Sequence, residues 1–216
     1  MTIRDMVARH SDYKETQDMI PTPPYATRVL YEYVAPELKE AAPALTAWEP
    51  AAGFGHMASV MHEYKHKEVY ATDKTLPPST FNKVTVRQQD FLQFSGRSAD
   101  LIATNPPYKL LGEFIALGLE RSNRYLALLI RVQGLEGQAR YRKVFNETKP
   151  TCVALFSDRI PFKTGVVVRK APKMFLHTWV FWDKEKIQRN RHVCEMKWVP
   201  PEAQRTLEKD EDYATF

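Results

Sequence analysis

The sequence predicts an α/β fold: a mostly parallel, doubly wound sheet with helices on both faces and an antiparallel last strand. Three observations carry this. Short apolar runs of strand character alternate with segments of helical periodicity along most of the chain. The run at 124–131 is continuously apolar from Tyr125 to Ile130, as a strand buried on both faces requires. The closing stretch, residues 173–182, is reached without an intervening helix, so it is free to run antiparallel.

The elements follow in order. Residues 1–20 read as an arm or a short amphipathic helix. Residues 25–42 read as a helix, with Val29, Leu30, Tyr33 and Leu38 on one side. Leu45 to Trp48 form a first strand that runs into Glu49-Pro50-Ala51-Ala52-Gly53-Phe54-Gly55, and residues 56–64 suit a helix. Strands are expected at 68–72, closed by Asp73, at 83–87 before Asp90, and at 100–104. Leu110, Leu111, Phe114, Ile115 and Leu119 then recur at helical spacing. The buried strand at 124–131, a helix at 136–146, a strand at 151–156 and the last strand at 173–182 complete the pattern. Residues 21–185 thus form one catalytic-sized domain, and 186–216 a C-terminal extension.

Composition bounds the function. A chain of 216 residues with 44% hydrophobic and 26% charged residues can bury a globular core as a single domain. The longest clean apolar run has six residues, far short of a bilayer span. Two cysteines, Cys152 and Cys194, lie outside any metal-ligand or CxxC spacing, so no metal is expected. The expectation is a soluble protein of a reducing cytoplasm. Net charge is +5 and uneven: residues 202–216 carry five acids against two bases, leaving the remainder near +8. The stretch 158–173 holds Arg159, Lys163, Arg169, Lys170 and Lys173 against one acid. A solvated loop explains this as well as a nucleic-acid contact does, until the chemistry of the neighbouring motifs is added.

The most informative residues are Asn105-Pro106-Pro107-Tyr108, directly after the strand at 100–104. Both prolines lack an N–H and fix φ, and Asn105 is pushed toward extended geometry by the proline after it. The loop is therefore stiff, and it displays an amide, backbone carbonyls and an aromatic ring at a strand's carboxyl end, where open α/β sheets bind ligands. It suits holding a planar amino group. On the cofactor side, Gly53 and Gly55 allow close backbone approach after the first strand. Asp73 ends the second strand eighteen residues after Gly55, where nucleotide-binding α/β folds grip ribose hydroxyls. The third glycine of a dinucleotide fingerprint is missing and no Gly-Lys-Ser/Thr follows, so ribose without phosphates is the expected ligand. Asp90-Phe91 ends the third strand, with a carboxylate placed to accept from an adenine amino group and a ring beside it, or else as a surface aspartate next to a core phenylalanine.

The order of these motifs, Glu49-Pro50-Ala51-Ala52-Gly53-Phe54-Gly55, Asp73, Asp90 and Asn105-Pro106-Pro107-Tyr108, resembles the class I S-adenosylmethionine-dependent amino-methyltransferases, and among them the N6-adenine DNA methyltransferases in their gamma arrangement. Thr22-Pro23-Pro24-Tyr25 is similar to that family's extra N-terminal motif, near the methionine end of the cofactor. The stretches 134–141 and 179–184 resemble small phage and prophage methyltransferases. The resemblance covers roughly residues 20–185 and implies a Rossmann-like methyltransferase sheet, with S-adenosyl-L-methionine as cofactor and DNA as partner. Carried over residue by residue, it implies cofactor contacts from Thr22, Pro23, Glu49, Ala51, Gly53, Gly55, Asp73, Asp90, Phe91 and Asn105. It implies catalysis by Asn105, Pro106, Pro107 and Tyr108. Ala51 stands where many class I methyltransferases have a glycine. No separate target-recognition domain fits, so specificity falls to a loop such as 158–176, where Arg159, Lys163, Arg169 and Lys170 are the expected phosphate contacts. The same motif also serves enzymes acting on N4 of cytosine, N6 of adenine in RNA or protein glutamine, and a non-catalytic cofactor- and nucleic-acid-binding protein is the reading of another class. Oligomeric state is left open.

Overall fold

A computed structural model describes residues 20–171, 175–189 and 193–213. The expected N-terminal arm lies outside these residues except for Ile20, as does Lys173. Pro24–Val29 forms helix α1, with Pro24 at its start, where a missing N–H costs nothing. A π-helical turn, Leu30–Val34, extends it, and α2 follows at Glu37–Ala41. The single helix expected over 25–42 is therefore broken at Ala35 and Pro36. Ala35 adopts φ −137° and ψ 73°, because a proline disfavours helical backbone in the residue before it and cannot donate to the preceding turn.

The remaining elements are β1 (Thr46–Glu49), α3 (His56–Glu63), β2 (Glu68–Asp73), β3 (Val86–Gln88), β4 (Ala99–Thr104), α4 (Leu111–Arg121) and β5 (Ser122–Arg131). They are followed by α5 (Gln138–Arg140), β6 (Cys152–Phe156), β7 (His177–Asp183), α6 (Lys184–Arg189), β8 (Glu195–Val199) and α7 (Ala203–Leu207). The helix expected over 136–146 shrinks to α5 and a π-helical turn at Tyr141–Phe145. Its residues Gln138, Ala139, Arg140, Tyr141 and Arg142 are exposed or half-buried, so no apolar face holds a longer α-helix to the sheet.

Eight strands form one sheet in the order β3-β2-β1-β4-β5-β7-β6-β8. The five strands β1 to β5 run parallel, and β7 inserts antiparallel between β5 and β6. The antiparallel strand is as expected, but it does not end the sheet. The C-terminal segment adds β8, parallel to β6.

Alternation along β5 explains its continuous apolar run. Tyr125, Ala127 and Leu129 pack into the layer with α1 and α3, whereas Leu126, Leu128 and Ile130 pack into the layer with α4. Each fully buried side chain of this kind contributes about 1.5–3 kcal/mol. Parallel pairing brings the carboxyl ends of β1, β2, β3 and β4 to one edge, and the loops that carry the chemical motifs leave from that edge.

Candidate active site

The turn after β1 is shaped by its neighbours before any ligand enters. Gly53 adopts φ +50° and Gly55 φ +82°, values that L side chains rarely adopt. A Cβ on Gly53 would meet nothing within 4 Å, whereas one on Gly55 would sit 3.1 Å from Val84. Gly55 thus serves packing and the helix start, and Gly53 keeps an open backbone face. The Gly53 N–H donates to Asp73 Oδ2 at 2.8 Å, and Thr75 N–H donates to Asp73 Oδ1 at 3.0 Å. The strand-end carboxylate and the glycine turn therefore form one unit. Ala51 is half-buried beside it.

Glu49 is 3% exposed, and its Oε2 accepts from the Ala58 N–H at 2.7 Å, capping the first turn of α3. Burial pushes its carboxyl well above the usual carboxylate range; the Ala58 bond opposes this and the charge of Asp73 adds to it. Asp90 caps its own turn, Oδ1 accepting from the Leu92 N–H at 2.9 Å. Phe91 corrects the sequence reading. It is 2% exposed, edge-on to Trp48 at 5.2 Å and against Phe114 at 4.9 Å, so its ring is core and offers no face to a cofactor. A single apolar residue beside a strand-end aspartate carries no sequence mark of which way it turns.

After β4, Asn105 is half-buried, Pro106 buried, and Pro107 and Tyr108 exposed. The Asn105 Nδ2 donates to Thr22 Oγ1 at 3.1 Å. Thr22 and Pro23 are themselves buried, so the N-terminal motif and the loop after β4 meet directly. Because the amide nitrogen takes Thr22 as its acceptor, the amide oxygen is left for another donor. Tyr108 is 45% exposed, an unusual setting for a large ring. The Arg131 guanidinium lies 5.4 Å from its ring centre and 3.7 Å from that of Phe175. His177, opposite Arg131 in the β5–β7 register, is pushed down to about 4 by burial; its bond to Phe175 O opposes the shift and the Arg131 charge adds to it. Arg131, Phe175 and His177 had no sequence signal, since Arg131 reaches Tyr108, and the other two reach Arg131, only once the sheet is assembled.

The basic loop divides. Arg159, Lys163 and Lys170 are exposed. Arg169, also exposed, pairs with Asp210, lies 3.8 Å from Glu208 and covers the Tyr213 ring at 4.6 Å. It is committed to the acidic C-terminal turn, which runs against its expected phosphate contact. Among the described residues, no cluster of three or more His, Cys, Asp or Glu side chains could hold a metal ion, and no helix is long and apolar enough to cross a membrane.

No family model matches the sequence, and no curated protein matches it. Solved structures share its fold. A modification subunit of an assigned type I restriction enzyme from Vibrio vulnificus YJ016 superposes with a TM-score of 0.56 at 12% identity, covering 91% of this chain and 51% of that one. A protein assigned as a class I S-adenosylmethionine-dependent methyltransferase from Listeria monocytogenes gives 0.56 at 8% identity, covering 94% and 74%. One assigned as an RNA methyltransferase from Pyrococcus horikoshii gives 0.53 at 16% identity, covering 85% and 98%. The chain thus spans about half the length of the first of these, and the shared feature is the Rossmann-like methyltransferase fold.

Proposed function

We propose that the chain is an S-adenosyl-L-methionine-dependent methyltransferase acting on the exocyclic N6 of adenine in DNA. The observation that carries this reading is the Asn105-Pro106-Pro107-Tyr108 loop at the end of β4, with its amide braced by Thr22 and its tyrosine exposed. The fold is the one named neighbours use for S-adenosylmethionine-dependent and RNA methylation. The residues fit the cofactor. The open backbone face at Gly53 admits a ligand, and the Asp73 carboxylate bonded to that turn supplies acceptors for ribose hydroxyls and a negative field for a sulfonium. Thr22, Pro23, Glu49, Ala51, Gly55 and Asp90 line or support this side in the proposal; Glu49 does so by holding α3 in place.

When bound, the sulfonium supplies an electrophilic methyl group. The chain's residues prepare the acceptor. An adenine amino group is a poor nucleophile because its lone pair is delocalised into the ring. The Asn105 Oδ1 and the Pro106 carbonyl accept its two N–H bonds and draw the nitrogen toward tetrahedral geometry, so that positive charge developing there meets fixed acceptors. Pro107 keeps this backbone stiff. Tyr108 stacks on the base after it leaves the helix, offsetting an unstacking cost of a few kcal/mol. Arg159, Lys163 and Lys170 contact phosphates, which predicts a salt-dependent affinity.

The type I modification subunit among the neighbours favours DNA, and the RNA methyltransferase match favours RNA as the second reading. The two are separated by incubating the protein with labelled cofactor and double-stranded DNA, single-stranded DNA or RNA, then digesting to nucleosides for mass spectrometry. N6-methyladenine in DNA supports the proposal. Label in RNA alone replaces the substrate, and N4-methylcytosine replaces the base. Cofactor binding with no acceptor in any polymer removes nucleic-acid methylation altogether.

A further inference from the structure

β8 closes one end of the sheet, and its exposed side chains are unsuited to a free edge. Met196 and Trp198 are 55% and 62% exposed, and Val193 beside the strand is 59% exposed. The other three tryptophans, Trp48, Trp179 and Trp182, are fully buried. Edge strands that stay solitary are blunted by charge, proline, bulges or a covering element; β8 carries its charges, Glu195 and Lys197, on the other face, and among the described residues neither proline nor cover shields Met196 and Trp198.

The main chain specifies what the edge offers. In a parallel pair, alternate residues aim both N–H and C=O at the neighbouring strand, and those between aim them the other way. The Glu195 N–H donates to Thr151 O at 2.9 Å, and the Val199 carbonyl accepts from Ser157 N–H at 3.2 Å. Residues 195, 197 and 199 therefore turn their backbone to β6, and Met196 and Trp198 turn theirs to the open side. The side chains sort as well. Lys197 Nζ donates to Val34 O, and Val199 joins the core with α1. On the opposite face Cys194 helps to line a groove of about 740 Å³ with Leu135, Tyr141 and Phe145. Met196 and Trp198 stay more than half exposed on that face.

We propose that two copies of the chain pair antiparallel along β8 about a two-fold axis at Met196. Hydrogen bonding requires the even-numbered residues to face one another, and two symmetric registers keep most of the strand in the overlap. Centring on Lys197 sets Lys197 against the partner's Lys197, a destabilising like-charge pair. Centring on Met196 sets Glu195 opposite the partner's Lys197, twice by symmetry, which extends the Glu195–Lys197 pair each strand already holds at 3.4 Å into a row of alternating charge, and charge selects this register. Met196 then meets the partner's Met196, and Trp198 comes to the partner's Cys194 at the mouth of the partner's groove. The two sheets become one continuous sheet, and the interface lies at the β8 edge, separated by β5, β7 and β6 from the strand ends where the chemistry is proposed.

The test uses the whole chain, by size exclusion with light scattering and by oxidative cross-linking. The wild type is expected at twice the 25.0 kDa chain mass. In a Cys194→Ser background, Met196→Cys is expected to form an intermolecular disulfide on mild oxidation, because residues hydrogen-bonded across the axis have Cα atoms about 5.5 Å apart, within the range a disulfide spans. Met196→Arg, at an exposed position, is expected to give a monomer with unchanged circular dichroism, its melting temperature lowered by no more than the lost association accounts for. A wild type that stays monomeric at its solubility limit overturns the proposal, as does one that captures nucleic acid or another protein at Trp198 without self-associating. A dimer that neither cross-links through Met196→Cys nor dissociates with Met196→Arg overturns the register and the edge together.

Discussion

Thr22 and Asn105 stand 83 positions apart and meet through one hydrogen bond of 3.1 Å. If that bond aims the amide, Thr22→Val should lower kcat tenfold or more, the scale on which small misplacements act. An unchanged kcat would make Thr22 a packing residue. Gly55→Ala tests the turn in a different currency: with φ +82° and Val84 at 3.1 Å, it should cost about 1–3 kcal/mol of stability, read by chemical denaturation. A stability equal to wild type would mean the turn relaxes freely. At this scale the sequence was legible where residues restrict or free the backbone: two prolines beside an asparagine, and glycines at a strand end. It was silent on Arg131, which lies over both Tyr108 and Phe175, and it offered no direction for Phe91, which the core took.

At the scale of elements, the strands were legible because apolar runs bounded by turn residues have few alternatives in a covered sheet. The helices were less so. Periodicity over 25–42 hid the break that Pro36 imposes, and 136–146 kept its pattern without a buried face to use it. β8 was missed because its alternation, Glu195, Met196, Lys197 and Trp198, spans only four residues, and its apolar members Met196 and Trp198 stay exposed rather than joining a core. The C-terminal segment is nonetheless tied in. Arg28, 3% exposed, donates to Asp212 at 2.7 and 2.8 Å, to Glu63 at 2.8 and 2.9 Å, and to Leu207 O at 2.8 Å, joining α1, α3 and the turn after α7. Removing one partner of a buried pair typically costs about 3–5 kcal/mol, so Asp212→Ala should lower the unfolding free energy by that order. A loss under about 0.5 kcal/mol, the range of ordinary surface changes, would show that the segment is not held by this network.

Across the whole molecule, two buried histidines give folding a pH dependence. His56 and His177 are each pushed from 6.5 down to about 4, chiefly by burial. Between those values the unfolded chain binds protons that the fold excludes, so stability is full above about pH 6.5 and falls as pH drops toward 4. Denaturation midpoints that stay level through this window would contradict the burial of both rings. The same sheet that hides them aligns the ends of β1, β2 and β4 at one edge, and the account's central claim concerns that edge. Its most direct test is transfer of labelled methyl from S-adenosyl-L-methionine to unmethylated DNA by the wild type and by Asn105→Ala, with cofactor binding measured on both. The account predicts N6-methyladenine from the wild type, and from the variant none above background with cofactor affinity retained. Full methylation by Asn105→Ala, or cofactor bound by the wild type with no methyl on any nucleic acid, would contradict it.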